Sequence, residues 1–311
     1  MSQRRGLFMI AHRFATLTAV LAVLPCFPGS WLDAELAGQT QPPKIFISVD
    51  MEGIGGIGTS RMTSASGKDY ATGRALMTAE VNAVVEAIFQ LGPAEILVND
   101  SHGDMQNLLH TRLDERVQYI QGNNKPLGMV QGLDESFDGA IFLGYHARAG
   151  TEGGFLAHTG SESVKGLWLN GVEVGEGGLN AHYAASHGVP VILASGDLVF
   201  TVQFKKLVNA RTVATKEAIG SSVARLVHPE VVRQRLREAT RAAIEDLDHA
   251  RPISVREPVN IGVRFATTTR VDILQAVPGM RRVDGTSVEY DATDMTEAYM
   301  LIRLMYKYVS W

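Results

Sequence analysis

Residues Lys44–Gly53 read KIFISVDMEG, a short apolar run that ends in two acidic side chains. The run Lys44–Val49 is rich in β-branched residues and predicts a buried strand. Asp50 and Glu52 follow at its carboxyl end. Residues two apart on an extended backbone share a face and lie about 6.6 Å from one another. The sequence therefore predicts that both carboxylates point to the same side of a strand end.

Farther along the chain, short apolar runs alternate with segments of helical periodicity. Strands are predicted over Glu95–Val98, Gly139–Leu143 and Pro190–Ala194, and helices over 68–91 and 178–186. This alternation is typical of an α/β protein with a mostly parallel sheet between two helical layers. Sites in such sheets lie beyond the carboxyl ends of the strands. The residues that follow each predicted strand are therefore the first candidates for a functional site.

Histidines follow the second and third predicted strands, much as carboxylates follow the first. His102 lies after the second strand and His146 after the third. Carboxylates and neutral imidazoles suit zinc or a similar divalent ion, and paired carboxylates can hold two cations about 3.5–4 Å apart. Each of these residues alone is more simply explained as a solvated or structural side chain. Their joint placement with Asp50 and Glu52 at one sheet edge predicts a metal centre.

Two further residues have more than one interpretation. His158 lies in a glycine-rich stretch, and therefore in a loop, shortly after His146. Glu176 precedes the predicted helix 178–186, where an acidic side chain interacts favourably with the helix dipole. Spacing alone slightly favours this structural role for Glu176 over metal binding.

Gly53, Gly55 and Gly58 fit the G-x-G-x-x-G pattern of dinucleotide-binding loops directly after a strand. A nucleotide-binding oxidoreductase is therefore one alternative function. However, the neighbouring carboxylates would repel a pyrophosphate, which needs backbone N–H groups and a helix N-terminus. The residues that follow, 59–68, are polar and irregular and do not predict an immediate helix. The pattern is therefore a weaker indication than the metal-binding residues.

Residues 1–40 differ from the rest of the chain and are predicted to form an export signal. Arg4, Arg5 and Arg13 accompany an apolar stretch over 14–24, which is shorter than the about 20 residues that span a bilayer. The Arg4–Arg5 pair is compatible with a twin-arginine signal. We expect a periplasmic or extracellular protein without stable membrane insertion once the leader is removed.

Composition limits the classes of partner. The 311-residue chain has 29 basic and 33 acidic residues, a formal net charge of −4, and 45% hydrophobic residues. This charge balance disfavours a nucleic-acid partner, because neutralising phosphates needs a local excess of Lys and Arg. One cysteine, Cys26, excludes an intrachain disulfide framework. The composition indicates a globular enzyme or small-molecule-binding protein.

The C-terminal third of the chain carries fewer motifs. An amphipathic helix is predicted over 229–244, strand-like runs over 258–290, and a closing helix over 295–308. We expect residues 41–209 to form the α/β metal-binding catalytic domain. Residues 210–311 are expected to form a smaller α+β portion that supports the site and assembly.

Several stretches resemble the zinc D-aminopeptidase family that was first associated with bacterial dipeptide-transport operons. They are Ser48–Gly53 (SVDMEG), Val98–His102 (VNDSH), Leu143–Ala149 (LGYHARA), Val174–Glu176 (VGE) and Asp294–Tyr299 (DMTEAY). The similarity runs in order over residues 44–311. It implies a three-layer α/β/α sandwich with a smaller α+β portion, and a homo-oligomer, in the known case a decameric ring.

The resemblance also implies a role for each candidate site residue. Asp50 would bridge two Zn²⁺ ions, and Glu52 and His102 would complete the ligand shell of one ion. His146 and Glu176 would complete the shell of the other. His158 matches the family's proposed catalytic histidine, either as general acid–base or as nucleophile.

The sequence thus predicts an exported dinuclear zinc aminopeptidase that hydrolyses short peptides with a free N-terminus. N-terminal D-residues such as D-Ala are implied by the resemblance. The metal is left open, because carboxylate-rich sites also accept other divalent ions. An exported peptide- or metal-binding protein without catalysis is the main alternative.

Overall fold

The computed structural model describes residues 41–309, and the predicted export signal over 1–40 lies outside them. The strands in this part of the chain are β1 (Lys44–Val49), β2 (Glu95–Asp100), β3 (Gln118–Ile120), β4 (Gly139–Tyr145), β5 (Val164–Leu169), β6 (Val172–Glu173), β7 (Val191–Asp197), β8 (Arg211–Gly220), β9 (Val223–Leu226), β10 (Val259–Phe265), β11 (Arg281–Arg282) and β12 (Ser287–Ala292). The helices are α1 (Tyr70–Phe89), α2 (Glu176–Ser186), α3 (Leu198–Leu207), α4 (Pro229–Glu245), α5 (Thr268–Leu274) and α6 (Met295–Arg303). None of the helices over residues 41–309 is long and apolar enough to cross a membrane.

The main sheet has the strand order β3-β2-β1-β4-β7-β8-β9. All neighbouring strands pair in parallel except β9, which pairs antiparallel with β8. Parallel strands β1, β2 and β4 therefore end at the same edge of the sheet. The mostly parallel sheet predicted from the sequence is confirmed.

Alternating side chains of β1 and β4 enter two separate cores, one on each face of the sheet. Ile45 and Ile47 pack in the core that contains the buried residues of α1 and α4. Phe46 and Phe142 pack in the other core, which contains buried residues of α2, α3 and α6. Full burial on both faces explains why the central strands are apolar runs without polar alternation. Helices thus cover both faces, as predicted.

A second sheet has the order β11-β12-β10-β5-β6, and its strands pair antiparallel. The predicted boundary at residue 210 does not separate the two sheets. The β5–β6 hairpin comes before that boundary but pairs with β10, whereas β8 and β9 come after it and extend the main sheet. Helix α4 also comes after the boundary but packs against α1. Its Val232 and Leu236 are fully buried in the core between these helices and the main sheet. Segments on each side of residue 210 therefore contribute to both sheets.

Several strands extend beyond their predicted ends into polar sequence. β2 continues to Asp100, β4 to Tyr145 and β7 to Asp197. These polar side chains are buried and hydrogen-bonded, so an apolar pattern does not reveal them. The closing helix also differs, because α6 ends at Arg303 and a π-helical turn follows over Leu304–Tyr308.

The segment after β1 is a turn and not an extended strand end, but Asp50 and Glu52 still direct their carboxylates to the same side, toward His102 Nδ1. Gly53 N donates to Gly144 O at 2.7 Å, and Ile54 N donates to Met51 O at 3.1 Å. A Cβ atom on Gly53 would lie 1.9 Å from Tyr145 O, so only glycine fits against β4 here. Helix α1 begins only at Tyr70, so the glycine pattern does not open a helix and lacks the N-terminus that binds pyrophosphate.

Candidate metal centre

Six side chains meet at the carboxyl edge of the main sheet. They are delivered by the turn after β1, the residues after β2 and β4, the loop between β4 and β5, and the first residue of α2. All six residues predicted from the sequence are brought together here, in two groups of three. Within each group the possible ligand atoms lie within 4.8 Å of one another. We name these the first ligand set (Asp50, Glu52 and His102) and the second ligand set (His146, His158 and Glu176).

The first ligand set is centred on one ring nitrogen of His102. Its Nδ1 lies 3.1 Å from Asp50 Oδ1 and 3.0 Å from Glu52 Oε2. Its Nε2 lies 2.8 Å from the backbone carbonyl oxygen of Thr63 and can donate a hydrogen bond to it. A carbonyl on Nε2 favours the tautomer whose Nδ1 lone pair faces the carboxylates, as a metal-binding imidazole requires.

The second ligand set is arranged in the same way around His146. His146 Nε2 lies 3.4 Å from Asp50 Oδ2 and 3.4 Å from Glu176 Oε2. Its Nδ1 lies 3.0 Å from Ala147 O, which again leaves the other nitrogen facing the carboxylates. Asp50 therefore approaches an imidazole of each set through a different carboxylate oxygen. A carboxylate placed in this way is able to bridge two cations.

His158 lies on the open side of the second ligand set. Its ring stacks on that of His146 with centroids 4.1 Å apart and an interplanar angle of 16°. Its Nε2 is 3.7 Å from Glu176 Oε1, while its Nδ1 is 2.9 Å from Leu156 O. The side chain of His158 is 26% exposed, compared with 1% for His146. His158 can therefore reach a cation or exchange a proton with a substrate.

The donor atoms fit zinc. Within residues 41–309, Asp50 Oδ2, Glu52 Oε2 and His146 Nε2 are buried without a hydrogen bond of normal geometry. Buried polar atoms are rarely left in this state unless a further ligand satisfies them. With Zn–N and Zn–O bonds of about 2.0–2.2 Å, two ligand atoms on one tetrahedral ion stand about 3.3–3.5 Å apart. The contacts of 3.4 Å around His146 match that separation.

The charges of the site are strongly coupled. Burial and the nearby Glu52 raise the pKa of Asp50 to about 6, although His102 opposes this. Burial alone would raise the pKa of Glu176, but His146 and His158 lower it to about 2. Burial would likewise lower the pKa of His102 and of His146, but the surrounding carboxylates raise both well above the ordinary value. Without a cation the imidazoles therefore hold protons, which metal ions would displace on binding.

Two aspartates at strand ends fix the backbone around the ligands. Asp100 accepts hydrogen bonds from the N–H groups of Asn107 and Leu108 at 2.6 and 2.8 Å. Asn107 Nδ2 in turn donates to His102 O at 2.7 Å. Asp197 Oδ2 accepts from Ala147 N at 2.9 Å, beside His146. These contacts hold the histidine-bearing segments without contributing a ligand atom.

Two buried charged residues behind the first ligand set were missed by the sequence analysis. Lys216, on β8, donates to the backbone carbonyls of Glu52 and Ile57, the latter at 2.7 Å. Glu80, on α1, accepts from Gly55 N at 2.6 Å. Both come from regions far from the metal-binding motifs in sequence. The only sequence pattern that indicates such residues is a charged side chain at a position of a strand or helix that is otherwise expected to face the core.

The chain is similar to proteins of one enzyme family. The profile of peptidase family M55, described as D-aminopeptidase, matches residues 44–304. A D-aminopeptidase from Bacillus subtilis (strain 168) is 36% identical over 264 residues, which cover 84% of this chain and 96% of that protein. A solved structure, the Zn-dependent D-aminopeptidase DppA from Bacillus subtilis, described as a self-compartmentalizing protease, superposes with a TM-score of 0.83. It is 35% identical and the match covers 86% of this chain and 97% of that one. This chain belongs to the M55 family of D-aminopeptidases.

Proposed function

We propose that this chain is an exported dinuclear zinc aminopeptidase that releases D-residues such as D-Ala from the N-terminus of short peptides. The observation that carries the dinuclear proposal is the position of Asp50, whose two oxygens face one imidazole of each ligand set. The preference for D-residues is supported by the D-aminopeptidases to which the chain is similar.

The described residues divide the work at the site. Glu52 and His102 would hold one ion, His146 and Glu176 the other, and Asp50 both. The chemistry that bound zinc supplies is a water whose pKa falls to about 7 and a polarised carbonyl group. Backbone carbonyls on the distal nitrogens of the two ligand imidazoles keep their lone pairs directed at the centre. The burial of these two imidazoles excludes bulk water, which strengthens the electrostatic interactions within the metal centre.

His158 is the residue best placed to move a proton. Its Nδ1 is fixed on Leu156 O, so its Nε2 is the atom that exchanges protons on the open side of the site. It lines two cavities, one of about 130 Å³ whose wall includes Asp50, His102 and Glu176, and one of about 490 Å³ whose wall includes Glu52. A peptide bound in a cavity lined by His158 would bring its scissile bond beside this imidazole. His158 would then give the leaving amine its proton as a general acid.

A metal-defined peptidase assay tests this function. Purified protein is incubated with D-alanyl and L-alanyl dipeptides while its bound metal is measured by mass spectrometry. We expect two zinc ions per subunit, faster release from the D-peptides, loss of activity with chelator and recovery with zinc. A protein that binds the peptides and two ions but never releases an amino acid would instead be the binding protein considered as an alternative. Faster release from the L-peptides would contradict the proposed specificity.

Export and assembly are proposed on separate grounds. The basic and apolar residues over 1–40 support export, and the description of the similar structure as self-compartmentalizing supports a homo-oligomeric ring. Expression of the full chain in a bacterium, followed by fractionation and N-terminal analysis, should recover a shortened protein outside the cytoplasm. Light scattering of this product should give a mass of many subunits, ten for a decamer. A full-length cytoplasmic product or a monomer would overturn the respective proposal.

A further inference from the structure

The lining of the smaller cavity beside the metal centre combines two chemically different groups. It includes residues of both ligand sets together with Arg303, Tyr306 and Lys307, which we name the basic wall. Arg303 is the last residue of α6, and the π-helical turn that follows carries the other two. Single π-helical turns are rare and frequently occur at functional sites. The basic wall shares this cavity with a centre that is rich in carboxylates.

Arg303 is a buried cation that forms no ion pair with a carboxylate among residues 41–309, although the Tyr306 side chain interacts with it and its guanidinium lies 6.0 Å from the centre of the Tyr308 ring. Its exposed fraction is only 2%, and its Nε, Nη1 and Nη2 atoms have no hydrogen-bond partner of normal geometry among residues 41–309. A guanidinium group stays protonated at every physiological pH, so it cannot reduce this penalty by losing its charge. Buried charges without a charged partner are costly and are therefore uncommon unless a ligand completes them.

The surroundings make room for this group and add to its positive charge. A Cβ atom on Gly128, whose φ is +46°, would lie 2.5 Å from Arg303 Nη1, so glycine is needed there. Lys125 Nζ is held by Asn99 Oδ1 and Asp100 O. Burial lowers the pKa of Lys125 to about 8, and the charge of Arg303 contributes to that shift. The basic wall is therefore suited to an anion that enters from the cavity.

We infer that Arg303 binds the C-terminal carboxylate of a short peptide whose scissile bond lies at the metal centre. The inference rests on the proposed peptidase function and assigns the feature that limits substrate length. A guanidinium fork matches a carboxylate with two parallel hydrogen bonds. The cavity, of about 130 Å³, is smaller than the ~300–1,000 Å³ of pockets for drug-sized ligands, so it suits the end of a very small peptide. A longer peptide would carry its carboxylate past Arg303.

The test compares D-alanyl-D-alanine with D-alanyl-D-alaninamide, which lacks the terminal charge. We expect wild-type protein to cleave the free acid with a KM about 10- to 100-fold lower than that of the amide, as the loss of a charged hydrogen bond predicts. Arg303→Met should raise the KM of the acid to that of the amide, with kcat and bound zinc unchanged. Arg303→Lys should retain part of the preference. Arg256→Met, which removes an exposed charge elsewhere, is the matched control and should behave as wild type.

Two further measurements separate binding from structural effects. Because Arg303→Met removes a buried charge without a carboxylate partner, its thermal midpoint should equal or exceed that of the wild type, whereas a structural role would lower it. Calorimetry on zinc-loaded His158→Ala protein should show tighter binding of the acid than of the amide, and Arg303→Met in that background should abolish the difference.

The outcomes distinguish this inference from the proposed function. Wild-type protein that cleaves acid and amide with equal KM overturns the inference but leaves the peptidase function intact. Equal calorimetric binding of acid and amide also overturns it. Protein that cleaves neither peptide overturns the peptidase function, and calorimetry then still decides whether Arg303 selects the carboxylate.

Discussion

The two ligand sets contain the same kinds of side chain but are supported by different interactions. Two buried ionisable side chains lie behind the first set. Lys216 donates a hydrogen bond to the backbone carbonyl of Glu52, and Glu80 accepts one from Gly55 N in the same turn. Behind the second set lie backbone groups, a helix N-terminus and one buried carboxylate, Asp197, which accepts a hydrogen bond from Ala147 N. Glu176 is the first residue of α2 and its Oε1 accepts a hydrogen bond from Gly160 N at 2.5 Å.

This difference predicts different sensitivities. Interactions with backbone dipoles and a helix N-terminus do not depend on pH and survive most side-chain substitutions nearby. Buried ionisable groups change charge with pH, and removing one of a group that acts together leaves its neighbours unpaired. The first ligand set, which has two buried ionisable groups behind it, should therefore respond more strongly to substitutions of its supporting residues than the second set.

Asp50 belongs to both halves, so its substitution should have the largest effect. Asp50→Asn keeps the shape of the side chain but removes the charge shared by the two ligand sets. We expect both ions to be lost and peptidase activity to fall by about 1,000-fold or more, since the hydrolytic water depends on the metal. Bound zinc per subunit and the rate of D-dipeptide hydrolysis measure this.

The matched control for that variant is Asp248→Asn, because Asp248 is exposed and lies outside the site. Its metal content and rate should equal those of the wild type. Retention of one ion by Asp50→Asn would show that the second ligand set binds metal independently of the bridge. Retention of both ions with full activity would exclude the bridging role of Asp50.

His158 distinguishes a ligand from a proton donor within the second set. Because it is the most exposed of the three imidazoles, we expect His158→Ala to keep its zinc. Its turnover should fall by about 100- to 10,000-fold, the usual contribution of general acid–base catalysis. Metal analysis and the pH profile of kcat provide the measurement. Loss of one ion together with activity would move His158 into the ligand shell.

The sequence predicted which side chains meet at the sheet edge better than it predicted the residues that support them. Asp50, Glu52, His102 and His146 follow strands, and the ends of parallel strands meet at one edge whatever the details of the fold. Glu176 was undecided from spacing, because an acidic residue at a helix start satisfies the helix dipole and a metal equally well. Here it is the first residue of α2 and also faces His146.

The sheets and the buried charges were harder to predict. The β5–β6 hairpin joins the second sheet and β8 joins the first, and such long-range pairing leaves no local pattern in the sequence. Lys216 and Arg303 are each a single basic residue in a strand or helix, where a solvated position is the usual expectation. Only the packed structure shows that both are buried.

Substitution of Lys216 tests whether the first set depends on its buried charges. Lys216→Met would leave the carbonyls of Glu52 and Ile57 without their donor. Groups that orient metal ligands typically contribute about 10- to 100-fold to metal affinity. We expect the first ion to bind more weakly by that factor and the second ion to be unaffected. Zinc titration with a competing chelator resolves the two affinities, and the exposed Lys205→Met serves as the control.

An equal loss of affinity for both ions would contradict the division between the two halves of the centre. No loss for either ion would show that the turn after β1 keeps its conformation without Lys216. In that case the hydrogen bonds of Gly53 and Ile54 alone would suffice to hold Glu52.

The smallest expected effect concerns pH and Glu80. Burial raises the pKa of Glu80 from 4.5 to about 7, with Gly55 N–H and Lys216 opposing the rise. The folded state thus binds this proton more tightly than the unfolded state, so the stabilisation is fully present below about pH 4.5 and is lost as pH rises through 7. Glu80→Gln resembles the protonated form and keeps an acceptor for Gly55 N. It should therefore exceed the wild type in stability by on the order of 3 kcal/mol at pH 8 and by only about 1 kcal/mol at pH 5. Urea unfolding at both pH values measures this difference, and the exposed Glu245→Gln should show none. If wild type and Glu80→Gln change in parallel with pH, Glu80 is not the buried titrating group behind the first ligand set.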